Sequence, residues 1–175
     1  MSKRPQSGFT LIELLIVVAI IVVLAGMMVP VLQSSWTRAE SRGAVTRVTN
    51  MMTLAASMAA AEGQTFRLNF SPQAGRFWLT WEPEPLENPG VFAAFRSSRM
   101  TDFRLEDTAL IPWHEVQGLP EDALDTPYIE FRPDGTADRA TLVLATNDGG
   151  RWTIILSPVT ASVRIFDFDI TEETL

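Results

Sequence analysis

Residues 9–29 form an apolar run of twenty-one positions, Phe9 to Val29, interrupted only by Thr10, Glu13 and Gly26; no other feature of the sequence limits the fold as strongly. As a helix the run spans about 30 Å, the thickness of a bilayer's hydrocarbon core. Lys3 and Arg4 precede it in a short polar stretch, Ser2–Gly8. The positive-inside bias then keeps the amino terminus cytoplasmic and exports everything after Pro30. Glu13 is the exception inside the run, because a carboxylate in a hydrophobic span costs about 2.5–3.5 kcal/mol even on the lenient insertion scale. Three readings compete. A secretory signal peptide has a shorter apolar region and small residues at its far end, which Leu24-Ala25-Gly26 nearly supplies. A plain signal anchor tolerates Glu13 by holding it at the interface. A processed precursor gives the carboxylate a use.

The rest of the chain bounds the function classes. A length of 175 residues allows one globular domain beside the apolar element. Fourteen basic against 21 acidic side chains give a net charge of −7, without the Lys/Arg excess that nucleic acid requires. There is no cysteine, which removes disulfides and thiolate metal sites without fixing the compartment.

Beyond Pro30 the pattern turns amphipathic. Val45, Val48, Met52, Ala55 and Ala59 recur at spacings of three and four, with Arg38, Glu40, Arg42 and Arg47 on other faces. Gly63 supplies a stop. The expected helix runs from Phe9 to about Ala61, roughly 80 Å long. From Gln64 the period becomes two: Thr65–Phe70 and Arg76–Trp81 flank the turn Ser71-Pro72-Gln73-Ala74-Gly75 as a hairpin. Residues 82–90 hold three prolines and three glutamates and read as a surface loop. In 91–119 only a strand at Asp102–Leu105 and an apolar patch at Ile111-Pro112-Trp113 stand out. Four further strands, Tyr128–Arg132, Thr141–Thr146, Arg151–Leu156 and Ser162–Phe168, are separated by Pro-Asp-Gly, Asn-Asp-Gly-Gly and Ser-Pro turns, implying antiparallel pairing. The expected class is α+β: a long amino-terminal helix packed on an antiparallel head of one sheet or two. The divisions are 1–8 leader, 9–29 membrane and assembly helix, 30–62 amphipathic continuation and 63–175 head.

Gly8-Phe9-Thr10-Leu11-Ile12-Glu13-Leu14 behind a basic leader resembles the type III signal of type IV pilins and pseudopilins. The resemblance implies a pilin-like fold, cleavage by a prepilin peptidase between Gly8 and Phe9, methylation of the new Phe9 amine, and an assembly role for Glu13. Phe131-Arg132-Pro133-Asp134-Gly135-Thr136-Ala137, and Ile154 through Ile165 with Ser157-Pro158-Val159-Thr160 between, resemble the carboxyl-terminal pattern of H-type minor pseudopilins and FimT-like minor pilins. They depart from it at Ala161-Ser162, where relatives often carry Gly-Arg. The implied function is a minor structural subunit of a type II secretion pseudopilus or type IV pilus. It sits in the bacterial inner membrane with a periplasmic head, packs on other pilins or pseudopilins through the helix, and is served by an assembly platform and a cytoplasmic ATPase. Two rivals remain. One is a DNA-uptake pilin using Arg67, Arg76, Arg96, Arg99 and Arg104, disfavoured because loss of the leader leaves 12 basic against 21 acidic residues, a net of −9. The other is a signal-anchored periplasmic enzyme.

No residue stands out as catalytic. His114, the one histidine, lacks partners at recognisable spacing and reads as a loop or partly buried polar residue. Asp134, Asp138, Asp148, Asp167 and Asp169 lack the spacing of a calcium loop, and their Asp-Gly contexts are explained by turn geometry. Met51, Met52 and Met58 at helical spacing read as core filler. Trp78 and Trp81 fall on opposite faces of one strand. No cofactor or metal is expected.

Overall fold

The computed structural model describes residues 11–95, 101–105, 109–120, 123, 125–146 and 149–168, and for 25–41 the backbone alone. The chain divides into two compact units, Met1–Arg38 and Ala39–Leu175. A single helix, α1 (Leu11–Glu62), supplies the described part of the first unit and the opening of the second. Its backbone stays helical through Pro30. It ends where Gly63 adopts φ 67° and donates its N–H to the Ala59 carbonyl at 3.1 Å, the left-handed cap that glycine makes without a Cβ penalty.

In the second unit, α1 presents Ala44, Val45, Val48, Met51, Met52, Ala55 and Ala59 to the core, all nearly inaccessible. Threonines inside a helix need partners for their hydroxyls. Thr46, Thr49 and Thr53 find them by donating to the carbonyls of Arg42, Val45 and Thr49 at 2.7–3.1 Å, so even buried Thr49 is satisfied.

The head carries two antiparallel sheets. The first is built from β1 (Phe66–Ser71), β2 (Arg76–Trp81), β3 (Ala93–Ala94), β4 (Asp102–Arg104) and β6 (Tyr128–Phe131); β1 lies between β2 and β6, while β3 and β4 both pair with β2. The second runs β5 (Ala109–Val116), β7 (Ala140–Thr146), β8 (Arg151–Leu156) and β9 (Val163–Phe166), in that order. The 128–131 strand therefore joins the early hairpin rather than the last three strands. The chain changes sheets through the Pro133-Asp134-Gly135 turn: Arg132 N–H donates to the Thr136 carbonyl at 2.9 Å, and Ala137 N–H to the Pro158 carbonyl at 2.9 Å.

Alternation decides which side chains enter the core. Phe66, Leu68 and Phe70 of β1 and Phe77 and Leu79 of β2 are buried, as are Leu142 and Leu144 of β7 and Ile154 and Leu156 of β8. Together with the helical Ala/Met face they form one cluster. Each fully buried Phe, Leu or Met contributes about 1.5–3 kcal/mol relative to exposure, so the sandwich around residues 44–59 accounts for most of the head's cohesion.

One strand departs from expectation. The patch at Ile111-Pro112-Trp113 lies within β5, an eight-residue edge strand whose register on β7 shifts between Leu110 and Trp113. Proline is tolerated there because it sits at an irregularity on a sheet edge.

Candidate functional site

In the first unit Glu13 lies in the first turn of α1. Gly8 and Phe9, the expected cleavage pair, lie outside the described residues. Of residues 11–24, twelve are large aliphatic side chains, each at least 44% exposed. They occupy every face of the helix, so the segment is apolar all round, a pattern that belongs in lipid or among other helices rather than in water. Among the described residues no helix is long and apolar enough to cross a membrane; the described side chains of the run stop at Leu24. Glu13 is the one carboxylate in that stretch and is itself exposed.

In the head, the residues considered for ligand chemistry do not converge. Asp134 closes its own turn, its Oδ1 accepting from Thr136 N–H at 2.9 Å and from the Thr136 hydroxyl at 2.7 Å; these bonds hold its carboxyl below the usual range. Asp138 accepts from Glu130 N–H at 3.0 Å and pairs with Arg132, whose guanidinium is raised further by that bond. Asp167 is exposed after β9, while Asp148 and Asp169 lie outside the described residues. Among the described residues no group of three His, Asp or Glu side chains is placed to hold a metal.

Of the five arginines a DNA-uptake role would use, three are described and two of these are engaged elsewhere. Arg67 pairs with Glu130 at 3.1 Å, and Arg76 forks onto Asp102 at 3.0 and 2.6 Å. Arg104 is exposed on β4, opposite Arg76; Arg96 and Arg99 lie outside the described residues. His114 is a strand residue of β5 rather than a loop residue, half-buried with its ring edge-to-face on Phe70, centroids 5.2 Å apart; burial pushes its pKa down. Met51 and Met52 are core residues and Met58 packs against the core. In β2, Trp81 packs with Phe66 and Phe95, and Trp78 turns to the other face beneath Arg76.

Sequence reading missed one surface. Arg139 and Arg164 are 25 positions apart, yet the β7–β8–β9 registers bring them to one groove. Strand alternation at Thr141, Ile155 and Arg164 was the available signal, but it has meaning only once the register is known.

A helical segment with aliphatic side chains on every face and one carboxylate in one unit and, in the other, an α+β head of two antiparallel sheets around a helix define a pilin-like protein. The profile of the prokaryotic N-terminal methylation motif matches residues 3–29, and that of type II transport protein GspH matches residues 44–160. The chain belongs to the GspH family. Two structures of the minor pseudopilin EpsH from the type 2 secretion system of Vibrio cholerae share its fold. One has 15% identity and a TM-score of 0.56 over 73% of this chain and 97% of that one; the other has 13% and 0.57 over 75% and 96%. The solution structure of E. coli GspH matches with 16% identity and a TM-score of 0.53 over 73% of this chain and 88% of that one. No curated protein matches this chain.

Proposed function

We propose that this chain is a minor pseudopilin, a structural subunit of a type II secretion pseudopilus whose work is assembly rather than catalysis. The observation that carries the reading is the presence on one chain of the N-terminal methylation motif and the GspH domain. In this reading a prepilin peptidase cuts between Gly8 and Phe9 and the Phe9 amine is methylated. Residues 9–29 cross the inner membrane once, with the leader cytoplasmic. Residues 30–62 continue the helix, and 63–175 complete a periplasmic head. The matured helix packs beside those of other pseudopilins, on an assembly platform driven by a cytoplasmic ATPase. The aliphatic side chains exposed around α1 support this, because filament packing and lipid are the two surroundings that suit them. The pairing of Arg67 and Arg76 with carboxylates disfavours the DNA-uptake alternative.

Mass spectrometry of the amino-terminal peptide from membranes tests the proposal. The expected product begins at N-methylated Phe9. A mature chain beginning at Met1 or beyond Ala25 overturns it.

A further inference from the structure

Beyond β9 the chain turns back over the outer face of the second sheet. Leu142 and Leu144 of β7 and Ile154 and Leu156 of β8 belong to the core cluster, so Val143 and Thr153 between them point to the opposite face. Both are nevertheless 0% exposed. Thr153 is covered in part by the segment after β9: its hydroxyl donates to the Phe168 carbonyl at 2.7 Å. The Phe168 ring meets edge-on that of Phe166, the partner of Thr153 on β9, with centroids 5.7 Å apart. Phe168, the last described residue, is thereby held above β8.

Two positions along β8 from Thr153, on the same face, Ile155 floors an open groove of about 420 Å³ whose lining includes Arg139, Thr141, Pro158, Ser162 and Arg164. Thr141 and Arg164 are the direct neighbours of Ile155 on β7 and β9. Arg139 lies one position beyond the Ala140–Leu156 pair, level with Ser157. Neither guanidinium makes an ion pair among the described residues, although Glu115 and Arg139 line one smaller pocket on the β5 side. An apolar floor with two cationic flanks suits an aliphatic side chain accompanied by carboxylates.

The chain carries that chemistry directly after Phe168. Residues 169–175, Asp169-Ile170-Thr171-Glu172-Glu173-Thr174-Leu175, hold three carboxylates, no cation and the aliphatic Ile170. Two residues of extended chain cover about 7 Å, the same step that separates Thr153 from Ile155 on β8. A segment returning along β8 from Phe168 thus sets Ile170 over Ile155 and Glu172 level with Ser157 and Arg139. Glu173 follows within side-chain reach of Arg164.

We propose that residues 169–175 dock in cis into this groove as a strap, Ile170 on Ile155, Glu172 on Arg139 and Glu173 on Arg164. Because Phe168 is already anchored over Thr153, the docking is intramolecular and costs less freedom than binding a separate chain. An acidic segment of a neighbouring protein reaches these two arginines only by displacing the strap. The proposal is independent of the pseudopilin reading.

The cysteine-free sequence permits a direct test in the membrane-borne full-length chain. One copy carries both Thr141→Cys and Thr171→Cys, which the docked strap sets side by side within disulfide range. After mild oxidation, thiols left free are tagged with a polyethylene-glycol maleimide and counted by gel shift. The expected product is a monomer with no taggable thiol, at least about fivefold more abundant than in the control pair Gln73→Cys with Thr171→Cys. Adding Arg139→Glu and Arg164→Glu should lower its yield about tenfold, and adding Glu172→Arg and Glu173→Arg to that variant should restore it. A yield at the control level, a yield indifferent to the two arginine substitutions, or a disulfide found mainly in dimers overturns the proposal.

Discussion

Arg67 and Glu130 face each other across the β1–β6 pair, their Nη2 and Oε2 atoms 3.1 Å apart, and the same guanidinium lies 3.6 Å from the ring centroid of Phe92 and 4.1 Å from that of Tyr128. One side chain thereby ties β6 to β1 and anchors the segment carrying Phe92. Both partners are about a quarter exposed, so solvent screening leaves the ion pair modest and the aromatic stacking carries much of the effect. Arg67→Ala should destabilise the head by about 1–2 kcal/mol in urea unfolding. A double-mutant cycle with Glu130→Ala should return a coupling of about 0.5–1 kcal/mol. A coupling near zero would mean that the register is held by backbone bonds alone.

Ala161 is the one non-glycine residue with positive φ, at 48°, among the described residues, and it is nearly buried in the turn between β8 and β9. An L-residue with a Cβ pays in this region, roughly 1–2 kcal/mol. Ala161→Gly should therefore raise stability by about 0.5–1 kcal/mol, after part of the gain is offset by chain entropy and a lost methyl contact. Thermal unfolding reads this as a higher midpoint. A lower midpoint would show that the methyl's packing outweighs the strain.

His114 predicts a pH dependence. Burial holds its pKa below the ordinary 6.5. The unfolded chain thus takes up the proton first as pH falls. The stability contributed by the neutral ring is complete above about pH 6.5 and is lost as pH falls through the folded pKa. Asp134, also depressed, acts only in a window beneath its ordinary 3.8. His114→Gln should flatten the stability profile just below neutrality and leave the acidic limb unchanged. An unchanged slope there would assign the titration to another group.

The strands that were legible in sequence are those where local grammar and tertiary environment agree. β8 and β7 lie between glycine or proline turns, and Leu142, Leu144, Ile154 and Leu156 are buried at a spacing of two, although Val143 and Thr153 on the opposite face are buried as well. β5 was illegible because its register shift around Pro112 breaks the period of two, so that Leu110 and both Pro112 and Trp113 are exposed around buried Ile111. That break also hid the strand position of His114, which reads as a loop or partly buried polar residue and is half-buried against Phe70. β3, with two residues, is too short to carry any period. Which sheet receives Tyr128–Phe131 depends on pairing with β1 some 60 positions earlier, a non-local choice that alternation leaves open. At the amino terminus the apolar length and the misplaced charge are read without tertiary contacts, and the methylation-motif profile falls on the same residues, 3–29.

Gly8 carries the processing reading. A β-branched side chain beside the scissile bond should obstruct the peptidase, so Gly8→Val is expected to accumulate as uncut precursor, separable by immunoblot from the mature chain. Normal maturation of this variant would move the cleavage site elsewhere.

Glu13 separates membrane entry from assembly. In a helix apolar on every face, its carboxylate opposes insertion by about 2.5–3.5 kcal/mol. In the proposed maturation, cleavage before Phe9 would create an α-amine about one helical turn away in sequence, and the amine of a neighbouring helix would offset part of the carboxylate's desolvation when subunits pack. Glu13→Ala removes the cost and the compensation together. The variant should therefore insert as well as the parent chain or better, by carbonate extraction, while its recovery in sheared pseudopili falls at least about tenfold, the factor that corresponds to 1.4 kcal/mol of lost pairing. Glu13→Asp, which keeps the charge on a shorter stem, should recover part of the yield. If Glu13→Ala enters filaments at the parental level, the carboxylate has no part in subunit addition and the charge pairing between neighbouring helices is wrong.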